Sequence, residues 1–309
     1  MNVSVVIPTY NRKPILEKCL CSLENQRLDS YVNTYEIVLV DDGSTDGTIS
    51  WIRTNSEHFP HVVLYEQKHG GPALGRNLGV MKSRYEIIIF IDSDLVVVED
   101  FIISHVNKLV NNWEKYNKKC FTYGSVINTN NFENPLKEPH KITDISLAYF
   151  ATGNVAISKD LLLKAGLFDT SFSLYGWEDL ELGERLRNLG TKLIKCPEAK
   201  GFHWHPSFSF DQIVPLAKKE TERAKMALLF FKKHPNIRVR FIIQLTPFHK
   251  LLWRILCLGG IININSLTPL LKYLFKSGRN GLALEIFKIP LNMIYVNELD
   301  KLIKKKYFP

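Results

Sequence analysis

Two aspartates, Asp92 and Asp94, stand one residue apart directly after the apolar run IIIFI of residues 87–91. In an extended segment, side chains two residues apart point the same way, so both carboxylates face one side and Ser93 faces the other. Two carboxylates held that close repel each other unless a proton or a cation lies between them. Because oxygen ligands with positions left open for substrate suit Mg²⁺ or Mn²⁺, this D-x-D motif predicts a divalent metal site. A solvated turn after a strand is the alternative.

The letters IFIDSDLV also fit a phosphatase and mutase pattern, in which the first aspartate after a strand is a nucleophile. That superfamily has the motif on the first strand of its domain. Three strand-and-turn units precede Asp92 here, so the metal interpretation is preferred.

A second acidic pair, Glu178 and Asp179, opens the segment EDLELGERLRNLG. On a helical projection of about 100° per residue, one stripe is apolar: Leu182, Leu186 and Leu189. Glu178 and Asp179 lie near this stripe, so at least one should face a cleft or the core, whereas Glu181 and Glu184 should point to solvent. Acidic residues also favour the first turn of a helix through its dipole, which is the structural alternative. Beside the D-x-D motif, a general-base role is favoured, because a carboxylate in a partly dry cleft can accept a proton from an attacking hydroxyl.

Two histidines, His203 and His205, alternate along the predicted strand GFHWHP and so lie on one side of it. In a chain that already shows a carboxylate metal site, we expect one of them to be a metal ligand. A core or surface role is the alternative.

The segment GGPALGRN approaches a P-loop without completing it. Gly70 and Gly75 have the required separation, but Arg76 and Asn77 stand where Lys and Ser or Thr are needed. The segment therefore predicts a glycine pair at the start of a helix, with Arg76 about one turn further along that helix. This arrangement suits close approach of a phosphate or a sugar.

Strands alternate with helices over the first hundred residues. The apolar runs VSVVIP, YEIVLV, HVVLY and YEIIIFI are each followed by polar residues, with helical periodicity after the first three. This alternation predicts right-handed βαβ units and a mostly parallel sheet that is buried on both faces. Ligands bind beyond the carboxyl ends of such strands, where the polar clusters at residues 8–12, 41–47 and 92–94 fall.

The composition is that of a globular protein. Of 309 residues, 45% are apolar and 23% are charged, which allows a substantial core. The five cysteines show no ligand spacing beyond one C-x-C, at Cys19 and Cys21, and follow no secretory signal, so we expect a reducing, cytoplasmic setting. From Pro215 onward there are 18 Lys or Arg and 5 Asp or Glu, a net charge of +13, so residues 1–214 carry −4 of the total +9.

This basic tail is also apolar and is predicted to be helical. Lys250 and Arg254 interrupt its apolar stretch and leave Ile255 to Ile264, which is too short to span a bilayer. We therefore expect peripheral contact with an anionic membrane surface. A helical cap with a solvated basic face is the alternative. Nucleic-acid binding is disfavoured, because the basic residues are interleaved with aliphatic residues rather than with stacking aromatic ones.

Taken together, these motifs resemble the inverting nucleotide-sugar transferases of glycosyltransferase family 2. VSVVIPTYNR, VLVDDGSTDGT, GGPALGRNLG and IIFIDSD match that family's motifs in order, and the segment from GNVAISKD to ERLRNLG resembles the acceptor half of β-1,4-galactosyltransferases and chondroitin polymerases. The resemblance implies the GT-A fold, an α/β architecture with a mostly parallel nucleotide-binding sheet flanked by helices. It implies a nucleotide-sugar-binding half at residues 1–125 and an acceptor-binding, catalytic half at 126–214. A basic helical C-terminal extension follows at 215–309.

The resemblance also implies roles for particular residues. The nucleotide sugar would be contacted by Pro8, Thr9, Tyr10, Asp41, Gly71, Arg76, Asp92 and Ser93. Mn²⁺ or Mg²⁺ would be held by Asp92, Asp94 and His203, with His205 as the fallback ligand. The sugar and the acceptor would lie against Gly153, Asn154 and Trp177. Asp179, with Glu178 beside it, would be the catalytic base.

The implied reaction moves a hexose or N-acetylhexosamine from a nucleotide-diphosphate sugar, with UDP favoured through resemblance alone, to a hydroxyl of a glycan or lipid-linked acceptor in cell-surface polysaccharide synthesis. One departure leaves the sugar open: the galactosyltransferases have a second glycine before the acidic pair, which YGWED lacks. Two alternatives remain. A nucleotidyltransferase would need a glycine-rich basic loop where this chain has PTYNR, and a non-catalytic glycan-binding protein would not need Asp92, Asp94 and Asp179 together.

Overall fold

The structure is a computed structural model that describes residues 1–141, 144 and 148–307. It contains two compact units. The first is formed by Met1–Ser173 and Glu178–His205, and the second by Leu174–Trp177 and the chain from Pro206 onward.

Within the described residues, the first unit is built on one eight-stranded mixed sheet. Its strands are β1 (Asn2–Thr9), β2 (Thr34–Asp41), β3 (Val62–Glu66), β4 (Ile87–Ile91), β5 (Leu95–Val97), β6 (Cys120–Thr129), β7 (Asn154–Ser158) and β8 (Lys192–Trp204). They lie in the order β3-β2-β1-β4-β7-β6-β8-β5. The first four strands pair in parallel, β7 is antiparallel to β4 and β6, β6 is parallel to β8, and β5 is antiparallel to β8. The predicted α/β class is confirmed, and the parallel part contains the predicted nucleotide-binding motifs.

Helices cover both faces of this sheet, as the continuously apolar strands predict. They are α1 (Lys13–Glu24), α2 (Thr48–Thr54), α3 (Pro72–Lys82), α4 (Phe101–Val110), α5 (Trp113–Tyr116), α6 (Lys159–Ala165) and α7 (Glu178–Asn188). Alternate side chains of β1 enter two separate cores. Ile7 packs in the core that contains Leu20 of α1, whereas Val6 packs in the core that contains Val80 of α3 and Leu182 of α7.

The second unit is helical. Its helices are α8 (Ile213–Lys233), α9 (Ile237–Ile242), α10 (Pro247–Leu256), α11 (Ile264–Lys276) and α12 (Asn280–Tyr307). Part of its core is formed by Phe208, Leu271 and Phe287, which are buried. Among the residues that the structure describes, no helix combines the length and the apolar character that a bilayer crossing requires.

Gly79 gives a test of how closely α3 packs on the sheet. A Cβ at this position would lie 2.3 Å from Cγ1 of Val6, which is fully buried in β1. Because the methyl group cannot enter without a shift of α3, we expect Gly79→Ala to lower the free energy of unfolding by about 1–3 kcal/mol in urea denaturation. Gly281→Ala is the matched control, since nothing lies within 4 Å of a Cβ there. Equal losses in both variants would contradict the close packing.

Candidate active site

The two aspartates of the D-x-D motif lie beyond the carboxyl end of β4, with His203 beside them. A ligand oxygen of each carboxylate and a ring nitrogen of His203 all lie within 4.8 Å of one another. His203 Nε2 is 2.8 Å from Asp94 Oδ1. Two carboxylates and an imidazole at this spacing fit a divalent cation that keeps coordination positions open for substrate oxygens.

The short strand β5, which the sequence pattern does not predict, brings His203 to the aspartates. β5 begins at Leu95, directly after Asp94, and Leu95 pairs with His203 of β8. The backbone amide of Trp204 donates to the carbonyl oxygen of Asp94 at 2.9 Å. Because β8 ends at Trp204, His205 lies beyond the strand and outside this group of ligand atoms, with its ring centroid 4.1 Å from that of His203.

Positive charges of the protein offset the repulsion between the two aspartates. Arg12 Nη1 lies 3.3 Å from Asp94 Oδ2, and Arg76 Nη2 lies 3.1 Å from Asp92 Oδ1. Burial raises the pKa of Asp94, but the hydrogen bond and charge of His203 and the charge of Arg12 outweigh it, so the pKa is lowered. Burial lowers the pKa of His203, but Asp94 reverses this and raises the pKa above its ordinary value. The site is therefore one that attracts positive charge.

One buried guanidinium joins the two acidic motifs that are far apart in the sequence. Arg76 Nη1 lies 2.9 Å from Glu178 Oε1, while Nη2 pairs with Asp92. Burial lowers the pKa of Arg76, but the charges of Asp92, Glu178 and Asp179 outweigh it and raise the pKa. Arg76 Nε is buried and has no hydrogen-bond partner among the described residues, so one donor of this guanidinium is unused.

The adjacent acid, Asp179, has a different environment from Glu178. Its Oδ1 accepts a hydrogen bond from the amide of Leu180 at 2.7 Å. Burial and the charge of Glu178 raise the pKa of Asp179 to about 7, although the charge of Arg76 opposes this. A carboxylate with a pKa near neutrality can take a proton from a hydroxyl. Of the two acids predicted to be catalytic, Asp179 has the properties of a base, and Glu178 pairs with Arg76.

Two buried oxygen atoms mark the predicted nucleotide end of the site. Thr9 Oγ1 and Asp41 Oδ2 have no hydrogen-bond partner in the described part of the chain. Thr9 and Asp41 are paired in the register of β1 and β2. Asp41 Oδ1 accepts from the amides of Gly43 and Ser44, at 3.0 and 2.7 Å, which fixes the carboxylate. Buried oxygens without partners are costly unless a ligand or water binds them, so these two fit the predicted contact with a nucleoside.

Asp42 organises the glycine-rich loop, a role that the sequence pattern does not predict. Its two oxygens accept from the amides of Gly70 and Gly71, each at 2.9 Å. Gly71 directly precedes α3 and has a φ of +88°, a left-handed value that favours glycine. His69 lies beside the same carboxylate and stacks on the exposed ring of Tyr10, with the centroids 4.2 Å apart. The consecutive aspartates Asp41 and Asp42, at the end of β2, are the local sequence signal for this role.

Asn154 belongs to a buried hydrogen-bond network at the start of β7. Its Nδ2 donates to the carbonyl oxygens of Ser125 and Ala199, each at 2.9 Å. Its Oδ1 is 2.7 Å from Nε2 of His105, whose Nδ1 is 2.8 Å from Thr122 Oγ1. Burial lowers the pKa of His105 to about 4, so this histidine is neutral. The sequence does not single out His105, and the contact of Asn154 with an acceptor stays a prediction.

The remaining predicted residues have distinct positions. Gly153 borders the D-x-D motif, since a Cβ there would lie 3.1 Å from Asp92 Oδ2. Ser93 is buried and Pro8 is partly buried within β1. Trp177 belongs to the second unit, where its indole N–H donates to the carbonyl oxygen of Arg223 at 2.9 Å. Its stacking on a sugar stays a prediction.

The prediction that Glu181 and Glu184 point to solvent is wrong. They are only 2% and 3% exposed. Arg185 Nη2 lies 2.6 Å from Glu181 Oε2, and Arg187 Nε lies 3.6 Å from Glu184 Oε1, so arginines one turn along α7 offset the buried charges. Leu189, predicted in the apolar stripe, is 36% exposed because α7 ends one residue before it.

Comparisons with known proteins identify the family. The model of the family described as Glycosyl transferase family 2 matches residues 4–163. The chain is 28% identical to the chondroitin synthase of Escherichia coli over 284 residues, which cover 80% of this chain and 38% of that protein. The chain spans between 26% and 66% of the length of the first curated relatives that it matches.

Two solved structures share the fold. The mannosyltransferase PcManGT of Pyrobaculum calidifontis, in complex with GDP-Man and Mn²⁺, matches with a TM-score of 0.59 and 19% identity over 99% of this chain and 87% of that one. TarS 1-349 of S. aureus, in complex with UDP, matches with a TM-score of 0.51 and 16% identity over 100% of this chain and 93% of that one. The chain belongs to glycosyltransferase family 2 and is a glycosyltransferase with the GT-A fold, as its motifs predicted.

The environment of Asp179 predicts the pH dependence of transfer. Because the base must be ionised and its pKa is raised to about 7, we expect kcat/KM to rise about tenfold per pH unit below pH 7 and to level off above it. Asp179→Asn should abolish transfer. Because burial raises the pKa of Asp179 from its ordinary value to about 7, stability falls as the pH rises from about 4 to about 7 and stays at the lower level above pH 7. The variant cannot ionise, so it should melt at a higher temperature than the wild type at pH 8. Near-normal turnover, or a lower melting temperature, would contradict the assignment.

Arg76 can be tested through its two-sided ion pair. Lysine keeps the charge but cannot bind Asp92 and Glu178 with a planar fork, so we expect Arg76→Lys to lower transfer at least about tenfold. Arg76→Met, which leaves the carboxylates unpaired, should also lower the free energy of unfolding by about 3 kcal/mol. Arg84→Lys is the matched control, because Arg84 is an exposed partner of Glu36. Full activity in Arg76→Lys would show that the planar guanidinium group of Arg76 is not needed for transfer.

Proposed function

We propose that this protein is an inverting, metal-dependent hexosyltransferase. It moves a hexose or N-acetylhexosamine from a nucleotide-diphosphate sugar to a hydroxyl of a glycan or lipid-linked acceptor in cell-surface polysaccharide synthesis. The observation that carries the proposal is the cluster in which Arg76 joins Asp92 to Glu178, next to an Asp179 with a pKa near neutrality.

The donor is proposed to lie along the carboxyl ends of β1, β2 and β4. Thr9, Tyr10 and Asp41 would contact the nucleoside, and the unpartnered buried oxygens of Thr9 and Asp41 support this. Gly71 and Arg76 would lie near the diphosphate and the sugar. A UDP-sugar is favoured by the family resemblance and by the UDP complex of TarS, while the GDP-Man complex of PcManGT supports only the wider class of nucleotide-diphosphate donors.

Asp92, Asp94 and His203 are proposed to hold Mn²⁺ or Mg²⁺. The spacing of their ligand atoms fits such an ion, and PcManGT was solved with Mn²⁺. A bound cation would offset the negative charge of the departing diphosphate. Arg12 and Arg76 already place positive charge beside the same carboxylates, so these side chains are suited to bind the diphosphate together with the ion.

The protein's own groups would act on the acceptor. Asp179 takes the proton of the acceptor hydroxyl, whose oxygen forms a bond to the anomeric carbon as the bond from that carbon to the nucleotide diphosphate breaks on the opposite face. The configuration therefore inverts. Glu178 holds Arg76 in place during this exchange. Gly153 and Trp177 are proposed to border the sugar and the acceptor, with Asn154 fixing the backbone next to Gly153.

The chain is proposed to use three parts in this reaction. Residues 1–125 would bind the donor, and residues 126–214 would bind the acceptor and contain the base. Residues 215–309 would contact an anionic membrane surface at its cytoplasmic side, where lipid-linked acceptors are available. Their net charge of +13 supports such a contact.

Calorimetric titration of UDP tests the proposed ion. We expect UDP affinity in Mn²⁺ to exceed that in EDTA at least about tenfold, because the diphosphate and the carboxylates of Asp92 and Asp94 would otherwise repel each other. Asp94→Asn should lose this metal effect. Asp179→Asn is the matched control, since it removes a carboxylate of the same site and should retain the effect. Equal affinity with and without EDTA would remove the metal from the proposal.

A mass-spectrometric screen of nucleotide sugars, with glycan and lipid-linked acceptors, tests the reaction itself. The expected product is the acceptor with one added hexose or N-acetylhexosamine and one released nucleoside diphosphate. Asp179→Asn is the negative control. Release of pyrophosphate from a nucleoside triphosphate and a sugar phosphate would instead identify a nucleotidyltransferase.

A further inference from the structure

In the second unit, residues 237–261 have three buried apolar side chains, Val239, Ile243 and Cys257, and a larger number of exposed ones. Over residues 237–261, eight large apolar side chains are exposed: Ile237, Phe241, Phe248, Leu251, Ile255, Leu256, Leu258 and Ile261. α10, in the middle of this stretch, has no buried residue at all. Single exposed apolar residues are ordinary on a protein surface, but a run of this length marks a surface that binds something.

α10 contacts the rest of the second unit through an ion pair and an indole hydrogen bond. On a projection of about 100° per residue, Phe248, Leu251 and Ile255 lie within about 60° of one another, and Lys250 and Trp253 lie on the far side. Lys250 forms an ion pair with Asp300 of α12. The indole N–H of Trp253 donates to Gln244 Oε1 at 2.6 Å. The inward residues of this helix thus make polar contacts, while Phe248, Leu251 and Ile255 are exposed, which is the reverse of a helix that covers a core.

The charge of the surrounding chain restricts the partner. Residues 223–284 contain 11 Lys or Arg and no Asp or Glu, and four of these basic residues fall within 237–261: Arg238, Arg240, Lys250 and Arg254. A partner with only an apolar surface would not explain this excess of basic residues. A surface that is negatively charged outside and apolar beneath matches both features, and an anionic lipid bilayer has that construction.

We propose that residues 237–261 form a lipid-docking surface, in which the face of α10 that contains Phe248, Leu251 and Ile255 enters the headgroup region of an anionic bilayer. Arg240 and Arg254 bind lipid phosphates at its edges. This inference rests on the membrane contact of the proposed function and assigns it to one face of one helix. A nucleic-acid partner would leave the apolar side chains unused.

Co-sedimentation of the full chain with vesicles tests the surface. The vesicles contain equal parts of phosphatidylglycerol and phosphatidylcholine, and pure phosphatidylcholine vesicles serve as the neutral comparison. We expect Leu251→Glu with Ile255→Glu to lower the partition coefficient at least about tenfold. Both side chains are about 60% exposed, so the melting temperature should not change. Met81→Glu with Leu163→Glu, which alters two exposed apolar residues of the first unit, should bind like the wild type.

A second pair of variants separates charge from insertion. Arg240→Gln with Arg254→Gln should weaken binding to the anionic vesicles about fivefold for each arginine and should make the remaining binding less sensitive to salt. The proposal is overturned if the Leu251 and Ile255 variant binds the vesicles like the wild type. It is also overturned if that variant only converts a dimer into monomers, or if a nucleic-acid duplex, and not the vesicles, binds the chain.

The outcomes distinguish this inference from the proposed function. A wild-type chain that binds no vesicles would remove the membrane contact altogether, while transfer to a soluble acceptor would be unaffected. A third outcome is that the Leu251 and Ile255 variant still binds the vesicles, whereas chains without the extension do not. That outcome would support the membrane contact and overturn only its assignment to α10.

Discussion

The active site depends on the compensation of crowded negative charge by a few cations. Four carboxylates, on Asp92, Asp94, Glu178 and Asp179, are gathered at one edge of the sheet, where repulsion would oppose folding. Arg76, buried between two of them, makes the cluster possible because it pairs with Asp92 on one side and Glu178 on the other. The compensation is incomplete at Asp179, whose pKa is raised to about 7. A carboxylate whose charge is only partly compensated has a raised pKa, and such a pKa suits the removal of a proton near neutral pH.

The topology of the sheet explains why residues so far apart in sequence meet there. Parallel strands end at the same edge, so Thr9 at the end of β1, Asp41 at the end of β2 and Asp92 directly after β4 lie on neighbouring strands. The short strand β5 pairs antiparallel with β8, and this pairing brings His203 next to Asp94. In this sheet Thr9 and Asp41 lie at the ends of parallel strands, whereas Gly153 directly precedes β7 and His203 lies in β8. The two solved structures that share this fold contain different ligands, GDP-Man in PcManGT and UDP in TarS.

The sequence predicts the features that repeat locally, and it misses those that arise from long-range pairing. The strands, the paired aspartates and the acidic pair could be predicted, because alternation, spacing and helical projection are properties of short segments. The bridge of Arg76 to Glu178 spans 102 residues and leaves no local pattern. His105 leaves no local pattern for the same reason, because its partners Thr122 and Asn154 lie outside its own segment. Glu181 and Glu184 were placed wrongly because helical projection does not show that arginines on the same helix can neutralise a buried acid.

The most direct test of the central claim is the position of the ion itself. Crystals grown with Mn²⁺ and a uridine diphosphate sugar should show, at the manganese absorption edge, one anomalous peak bounded by Asp92, Asp94 and His203 and in contact with both phosphates. A peak at another site, or a bound nucleotide diphosphate with no peak beside these residues, would contradict the account.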